Sequence, residues 1–322
     1  MALPLELIEH ICLYLPNSDL QVVATSSSLL CAVAQRILFK DVSVARRSLL
    51  VAVTLANKPH LARHVRDFKI VVGPSVTVLP SYYRALATAL SHMRELVSLS
   101  ISVPAQYSSI LSAAPDAVFP RLRHLQASFT LDSHLLAFLS KTPGLTTLTL
   151  DQSLHAPRSE IPPTLLPHLS SFSGASQVAQ LLVPGRPVSS LYLTSGDLTE
   201  EVVSFLAQSS AAVSTLDATT TSLPLPILET LSEAMPLLEN IRLTTTYNLW
   251  DEFFNTPFIQ NIKNALVAMN HLKSANVSGM LWKWLTKDGR VLTNEPHIPS
   301  QALDNTDDAE WTYDNHNTYY HH

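Results

Sequence analysis

Histidine, cysteine and acidic side chains are the groups from which catalytic and metal sites are built, and this chain has 13 His, 2 Cys and 26 Asp or Glu. Their spacing matches no familiar site. The sequence contains no Gly-x-Ser-x-Gly elbow, His-Glu-x-x-His pair, Cys-x-x-Cys pair or Gly-x4-Gly-Lys-Ser/Thr loop. We therefore expect no catalytic residue, no metal, no cofactor and no enzymatic activity. A site assembled from distant residues stays the enzymatic alternative, because spacing does not reveal proximity in the fold.

The composition favours a soluble protein with a large hydrophobic core. Of the 322 residues, 46% are hydrophobic and only 15% are charged, a length that suits one large domain or two ordinary ones. No apolar run approaches the roughly 18 residues that a membrane span requires. The two cysteines, Cys12 and Cys31, are expected to be free thiols in a reducing compartment. With no signal peptide pattern, we expect a protein of the cytoplasm or nucleus, without a membrane partner.

The charge pattern argues against nucleic acid as a partner. The formal net charge is −5, and no extended basic stripe occurs. Small basic clusters do occur, at Arg46-Arg47 and at Arg63, Arg66 and Lys69. We interpret these clusters as solvated faces of helices.

A degenerate repeat fills the middle of the chain. The pattern is apolar-x-x-apolar-x-apolar, and successive copies begin 19 to 34 residues apart. Six clear copies start at Leu96, Leu122, Leu145, Val188, Val213 and Leu238, and three weaker copies start at Val65, Leu169 and Leu272. Helical patterns such as 82–93, 199–208 and 227–235 lie between them. A generic α/β open sheet is the alternative to a repeat architecture.

This alternation resembles a leucine-rich-repeat solenoid, since most spacings fall in or near the usual 20–29 residues. The resemblance implies a curved parallel sheet with outer helices. The asparagine expected after each strand is absent, and Thr130, Ser153, Thr221 and Thr246 stand in its place in four units. We expect their hydroxyls to satisfy backbone groups in the turns.

The register of the repeat predicts which side chains line the outward, concave face. Alternate strand residues point to opposite sides, so the positions between the apolar ones face outward. Nearly all of these positions hold small polar residues, such as Ser128, and the set also includes Ala175. Tyr192 and Arg242 are the strongest candidates for substrate binding, because Tyr and Arg are enriched at binding hot spots. The other candidates are His124, Asp151 and Asp217.

The first forty residues predict three short helices with more apolar surface than so small a unit can cover. The ordered landmarks Leu3-Pro4-x-Glu6-Leu7, Ile11, Leu15-Pro16 and Asp19-Leu20, followed by residues 27–42, resemble a fungal-type F-box. The third helix lacks the Cys-Arg/Lys and Trp of many F-boxes. By this resemblance, the surface for the adaptor of an SCF-type ubiquitin ligase comprises Leu3, Pro4, Leu7, Ile11, Leu15 and Pro16.

The predicted organisation is therefore an F-box over residues 1–45, a helical linker over 46–60, an LRR-like solenoid over 61–285 and a polar tail over 286–322. The resemblance implies a substrate-recognition subunit that binds the SCF adaptor, and through it cullin, while the repeats hold an unknown protein substrate. The alternative is a scaffold without any ligase, in which the N-terminal helices only cap the repeats.

Overall fold

The computed structural model describes residues 4–44, 49–73, 78–112, 117–151, 161–162, 164–247, 256–284 and 292–296. These residues form an α/β structure in which helices pack on one 12-stranded, mostly parallel sheet. The α/β class and the long parallel sheet predicted from the repeat are thereby confirmed.

Three helices precede the sheet: α1 (Leu5–Cys12), α2 (Asn17–Ser26) and α3 (Ser28–Leu38). Prolines at 4 and 16 stand at the N-caps of the first two, and the Oγ of Ser27 caps the third by accepting from Leu30 N at 3.2 Å. The helices share a small core of their own, which comprises Cys12, Leu20, Val33 and Ala34. This N-terminal core is separate from the core under the sheet.

The strands follow one another across the sheet in chain order. They are β1 (Asp41–Val44), β2 (Asp67–Val71), β3 (Ser98–Ser102), β4 (His124–Ala127), β5 (Thr147–Leu150), β6 (Ser171–Ala175), β7 (Ser190–Ser195), β8 (Thr215–Thr220), β9 (Asn240–Thr245), β10 (Ser274–Val277), β11 (Met280–Trp284) and β12 (Leu292–Pro296). Neighbours from β1 to β10 are parallel, whereas β11 and β12 run antiparallel to the strand before them.

Helices cover one face of this sheet. They are α4 (Leu49–Asn57), α5 (Pro59–Ala62), α6 (Pro80–His92), α7 (Ser133–Leu139), α8 (Ser176–Leu182), α9 (Glu200–Leu206), α10 (Pro224–Ala234) and α11 (Thr256–Ala268), with a 3₁₀ segment at Ala105–Ser112. Parallel connections are almost always right-handed, and the strand order never reverses, so successive connections fall on the same side. The opposite face, here called the open face, carries the less buried side chain of each pair along a strand.

The repeat pattern corresponds to the core. Its middle apolar residues are register partners that form one continuous buried row, namely Phe68, Leu99, Leu125, Leu148, Phe172, Leu191, Leu216, Ile241 and Ala275. Gly174 takes an apolar position in β6, because the Phe172 ring already fills the space: an added Cβ would lie 2.9 Å from Cζ of Phe172.

A ladder of carbonyl groups joins each unit to the next. The residue just before a strand accepts two backbone N–H groups from the following unit, as Thr146 O does from Ser170 N (2.9 Å) and Ser171 N (3.0 Å). Four hydroxyls strengthen this ladder by donating to the preceding carbonyl, namely those of Thr146, Ser170, Ser189 and Ser214. Buried carbonyls need such partners. Two of the four turn hydroxyls that were expected to satisfy backbone groups can be singled out. That of Thr221 donates to the Asp197 carboxylate instead, and Ser153 lies outside the described residues.

The irregular unit before β6 is held by a buried arginine. Arg186 is only 2% exposed, and its guanidinium donates to backbone carbonyls rather than to a carboxylate. Its Nε donates to Leu165 O (2.7 Å), Nη1 to Leu182 O (2.9 Å) and Nη2 to Pro162 O (3.0 Å). One side chain thus joins Pro162 and Leu165 to the end of α8.

Both ends of the sheet extend past the predicted repeats. Residues 41–44, grouped with the first helices in the sequence prediction, form β1 and pair with β2. At the other end, a two-residue loop at Ser278 and Gly279, both with positive φ, turns β10 into β11. Strand β12 lies in the segment predicted as a polar tail, of which residues 286–291 and 297–322 are outside the description. Trp282 is buried, as expected for a residue that closes the last unit.

Candidate binding surfaces

An apolar stripe runs along the outer side of α1. Pro4, Leu7, Ile11 and Tyr14 recur at helical spacing and therefore share one side of the helix. Leu7 is 50% exposed, Ile11 54% and Tyr14 77%. We call these four residues the α1 stripe.

The inner side of α1 explains why the stripe stays exposed. Ile8, Cys12 and Leu15 occupy the neighbouring side of the helix and pack in the N-terminal core. None of the four residues of the α1 stripe belongs to that core. The exposed ion pair between Glu9 and Arg36 also links α1 to α3.

The six predicted adaptor-binding residues therefore have different environments. Pro4, Leu7, Ile11 and Pro16 are exposed, whereas Leu15 is half-buried and packs on the N-terminal core. Leu3 lies outside the described residues. The prediction from sequence did not include Tyr14, whose spacing three residues after Ile11 already placed it on the stripe.

Three of the five predicted residues of the open face lie side by side. Tyr192 on β7, Asp217 on β8 and Arg242 on β9 are register partners, and Arg242 Nη1 lies 3.7 Å from Asp217 Oδ2. They line a shallow depression of about 200 Å³. We call this row of three residues, with its depression, the β7–β9 site.

Neutral hydrogen-bonding groups complete the β7–β9 site. Asn276 on β10 is the register partner of Arg242, and Asn240 accepts from Ser274 Oγ at 2.8 Å through its Oδ1. Leu281 lines the far end. The sequence prediction placed both asparagines on the open face but did not select them, although the register alone put Asn276 in the same row as Arg242.

Burial shifts the pKa of Asp217, the acidic residue of the β7–β9 site. Partial burial raises the pKa of the Asp217 carboxyl, and the neighbouring Arg242 guanidinium opposes that rise. A poorly solvated carboxylate gains more from a ligand's hydrogen-bond donor than a fully hydrated one does. The β7–β9 site therefore offers an acceptor, a cation, an aromatic ring and two amides within four adjacent strands.

His124 and Asp151 lie apart from this site. His124 is on β4, three strands from Tyr192, which corresponds to about 14 Å at the usual strand spacing. Asp151 follows β5, where burial raises the pKa of its carboxyl and a hydrogen bond with Gln126 opposes the rise. The five predicted residues thus form one group of three and two separate positions.

Two residues predicted to face outward are buried. A register shift between Gly174 and Ala175 turns Ala175 into the core. Ser128 lies just past β4, where its Oγ accepts from Val103 N at 3.0 Å and donates to Val103 O at 2.7 Å. Strict alternation fails at both positions because each lies where its strand ends.

Across the described residues, no group of three His, Cys, Asp or Glu side chains is placed to hold a metal ion. Nor is any helix in that part of the chain long and apolar enough to cross a bilayer. No protein-family model matches the sequence, and no curated protein matches it.

Proposed function

We propose that this protein is the substrate-recognition subunit of an SCF-type, cullin-RING ubiquitin ligase. In this proposal the first three helices are an F-box that binds the ligase adaptor. The strands and helices after them are leucine-rich-repeat-like units that hold a target protein. The chain performs no bond chemistry itself; it accelerates ubiquitin transfer by holding the target near the catalytic subunits.

The proposal rests on the exposure of the α1 stripe. An exposed apolar patch with a polar surround marks a protein-interaction surface. Leu7 and Ile11 are each about half exposed on a helix whose other side is already packed, and neither belongs to a core formed by the described residues. The F-box resemblance assigns the adaptor as that partner.

The scaffold alternative requires the apolar side chains of α1 to be buried. Helices that serve only as a cap must bury their apolar residues against the first unit of the sheet. The N-terminal core is instead separate from the sheet core, and Leu7 contributes to neither. This arrangement favours docking to a second protein over capping.

Co-expression with the ligase adaptor tests the proposal. We expect the full chain to co-purify with the adaptor and Leu7→Ser/Ile11→Ser to lose it. Leu50→Ser/Leu79→Ser is the matched control, because these leucines are 78% and 73% exposed but lie on α4 and before α6. A wild-type chain that fails to bind the adaptor would rule out the ligase function.

The β7–β9 site is the proposed contact for the target. Its tyrosine and arginine can anchor a partner, and the depression between them admits a side chain. Tyr192→Ala/Arg242→Ala should lose the proteins that cross-link to the wild-type chain while keeping the adaptor. An unchanged set of cross-linked proteins would place the target surface elsewhere.

A further inference from the structure

A cleft of about 360 Å³ separates the N-terminal helices from the first units of the sheet. On the helical side it is lined by residues of α1 and α3, among them Arg36, and by Lys40 just before β1. Arg63, His64 and Arg66, between α5 and β2, line the other side. The sequence predicts Arg63 and Arg66 on a solvated face, but the fold brings Arg36 and Lys40 to the same cleft.

The cleft carries an excess of positive charge. Arg36, Lys40, Arg63 and Arg66 supply four formal positive charges against two negative ones from Glu9 and Glu95, an excess of two. Both acids already have partners, since Glu9 pairs with Arg36, and Glu95 pairs with Arg121 outside the cleft. Among the described residues, no carboxylate lies within ion-pairing distance of Arg63 or Arg66. A chain with a net charge of −5 thus concentrates cations at one position.

The backbone around the cleft is ordered before any ligand binds. Lys40 O accepts from Arg66 N at 2.9 Å and from Asp67 N at 3.1 Å, and Arg66 O accepts from Val97 N at 2.8 Å. The backbone of two of the cationic residues, Lys40 and Arg66, is therefore part of the same carbonyl ladder that joins the units. Repulsion among positive side chains held close together destabilises the fold unless negative charge offsets it. The excess of cations in the cleft therefore favours the binding of an anion.

His64 is the neutral side chain among these cations, and its lowered pKa is consistent with their positive charge. Burial lowers the pKa of His64, and electrostatic interactions with Arg36 and His60 lower it further. The imidazole therefore stays uncharged at neutral pH and can donate or accept one hydrogen bond, while the four cations supply the charge.

We propose that this cleft binds a compact ligand with at least two phosphate groups, either free in solution or as the headgroup of a lipid. Guanidinium groups bind phosphate oxygens through paired N–H donors, and the cations on the two sides of the cleft suit two separate phosphates. The volume lies near the lower end of the range for small-molecule sites, which favours a compact ligand over a chain. Such a ligand ties the N-terminal helices to the sheet across a boundary where the two cores are separate.

Calorimetric titration of the full chain with tripolyphosphate tests the proposal in its free form. We expect binding that weakens as salt is raised and that is at least tenfold weaker in Arg63→Gln/Arg66→Gln. Arg84→Gln/Lys273→Gln removes the same charge from exposed positions outside the cleft and should bind like wild type. Tripolyphosphate should also raise the melting temperature of wild type but not that of the cleft variant.

Vesicles distinguish the two sources of phosphate. Sedimentation with phosphatidylcholine vesicles, with and without a phosphatidylinositol bisphosphate, is measured for the same three proteins. Binding to tripolyphosphate assigns a free ligand, and binding only to the phosphoinositide vesicles assigns a headgroup. The proposal is overturned if neither is bound, or if the cleft variant binds as tightly as wild type. It does not depend on the ligase function, because neither assay contains the adaptor.

Discussion

Arg242 Nη1 lies 3.7 Å from Asp217 Oδ2 on the neighbouring strand, and both side chains stay partly exposed in the β7–β9 site. Exposed ion pairs of this kind contribute about 0–1 kcal/mol to stability. The pair is therefore expected to matter for binding rather than for folding, and substitutions there are suitable probes of function.

The first prediction concerns the acid of this pair. Carboxyl NMR should show Asp217 titrating above its ordinary value of 3.8, and Arg242→Ala should raise the midpoint further, because burial then acts without the opposing cation. A raised folded-state pKa means that the fold favours the protonated acid. Stability from this group is thus lost as pH rises through the raised value, and Asp217→Asn should lose less. A midpoint at or below 3.8 would contradict this interpretation.

The second prediction concerns Arg186. Replacing it by Met removes the guanidinium donors from the buried carbonyls of Leu165 and Leu182 and leaves Pro162 O only the backbone N–H of Leu165, which should cost about 3 kcal/mol or more. Arg186→Lys should recover only part of the loss, because one ammonium cannot reach all three oxygens. Urea unfolding is the measurement. Arg121→Met, at an exposed ion pair, should change stability by less than about 1 kcal/mol; equal losses in the two Met variants would contradict the assigned role.

Arg186 also shows where prediction from sequence ends. The apolar positions of the repeat are periodic, so the core-facing residues of most strands could be predicted from spacing, and the resemblance to leucine-rich repeats implied the parallel sheet. Arg186 has no such periodicity: its carbonyl partners are Pro162, Leu165 and Leu182 at the end of α8, which only the fold brings together. The same holds for the cleft, whose cations come from three segments of the chain. On the open face, the register placed Tyr192, Asp217 and Arg242 in one row, but only the structure added the depression and Leu281.

The third prediction concerns two glycines and compares the cost of a positive backbone φ with the cost of a steric clash by an added Cβ. Gly185 and Gly196 have φ of 75° and 85°, but only at Gly196 would a Cβ collide, 2.2 Å from Ser176 Oγ. Gly185→Ala should therefore cost about 1–2 kcal/mol, the usual cost of a left-handed residue, and Gly196→Ala clearly more. Removing the hydroxyl in Gly196→Ala/Ser176→Ala should restore part of the difference in thermal unfolding. Similar losses at the two glycines would show that the collision is relieved at no cost.

The fourth prediction concerns Ser128, which joins β4 to the loop after β3. Its hydroxyl satisfies both N and O of Val103, so Ser128→Ala leaves two backbone groups without partners and should cost about 1–3 kcal/mol. Ser112→Ala is the control, because that exposed hydroxyl bonds only within its own 3₁₀ segment, to Ser109 O. Hydrogen exchange at the Val103 amide should speed up in the Ser128 variant alone. An unchanged exchange rate would mean that water replaces the hydroxyl.

The most direct test of the proposed function is the dissociation constant between the purified chain and the ligase adaptor. Leu7 and Ile11 are each about half exposed, and both should contact the adaptor. Because Leu7→Ser/Ile11→Ser removes both apolar contacts, this variant is expected to bind the adaptor at least tenfold more weakly than wild type. Leu50→Ser/Leu79→Ser should keep the wild-type constant. An adaptor that does not bind the wild-type chain, or that binds the α1-stripe variant equally well, would contradict the account.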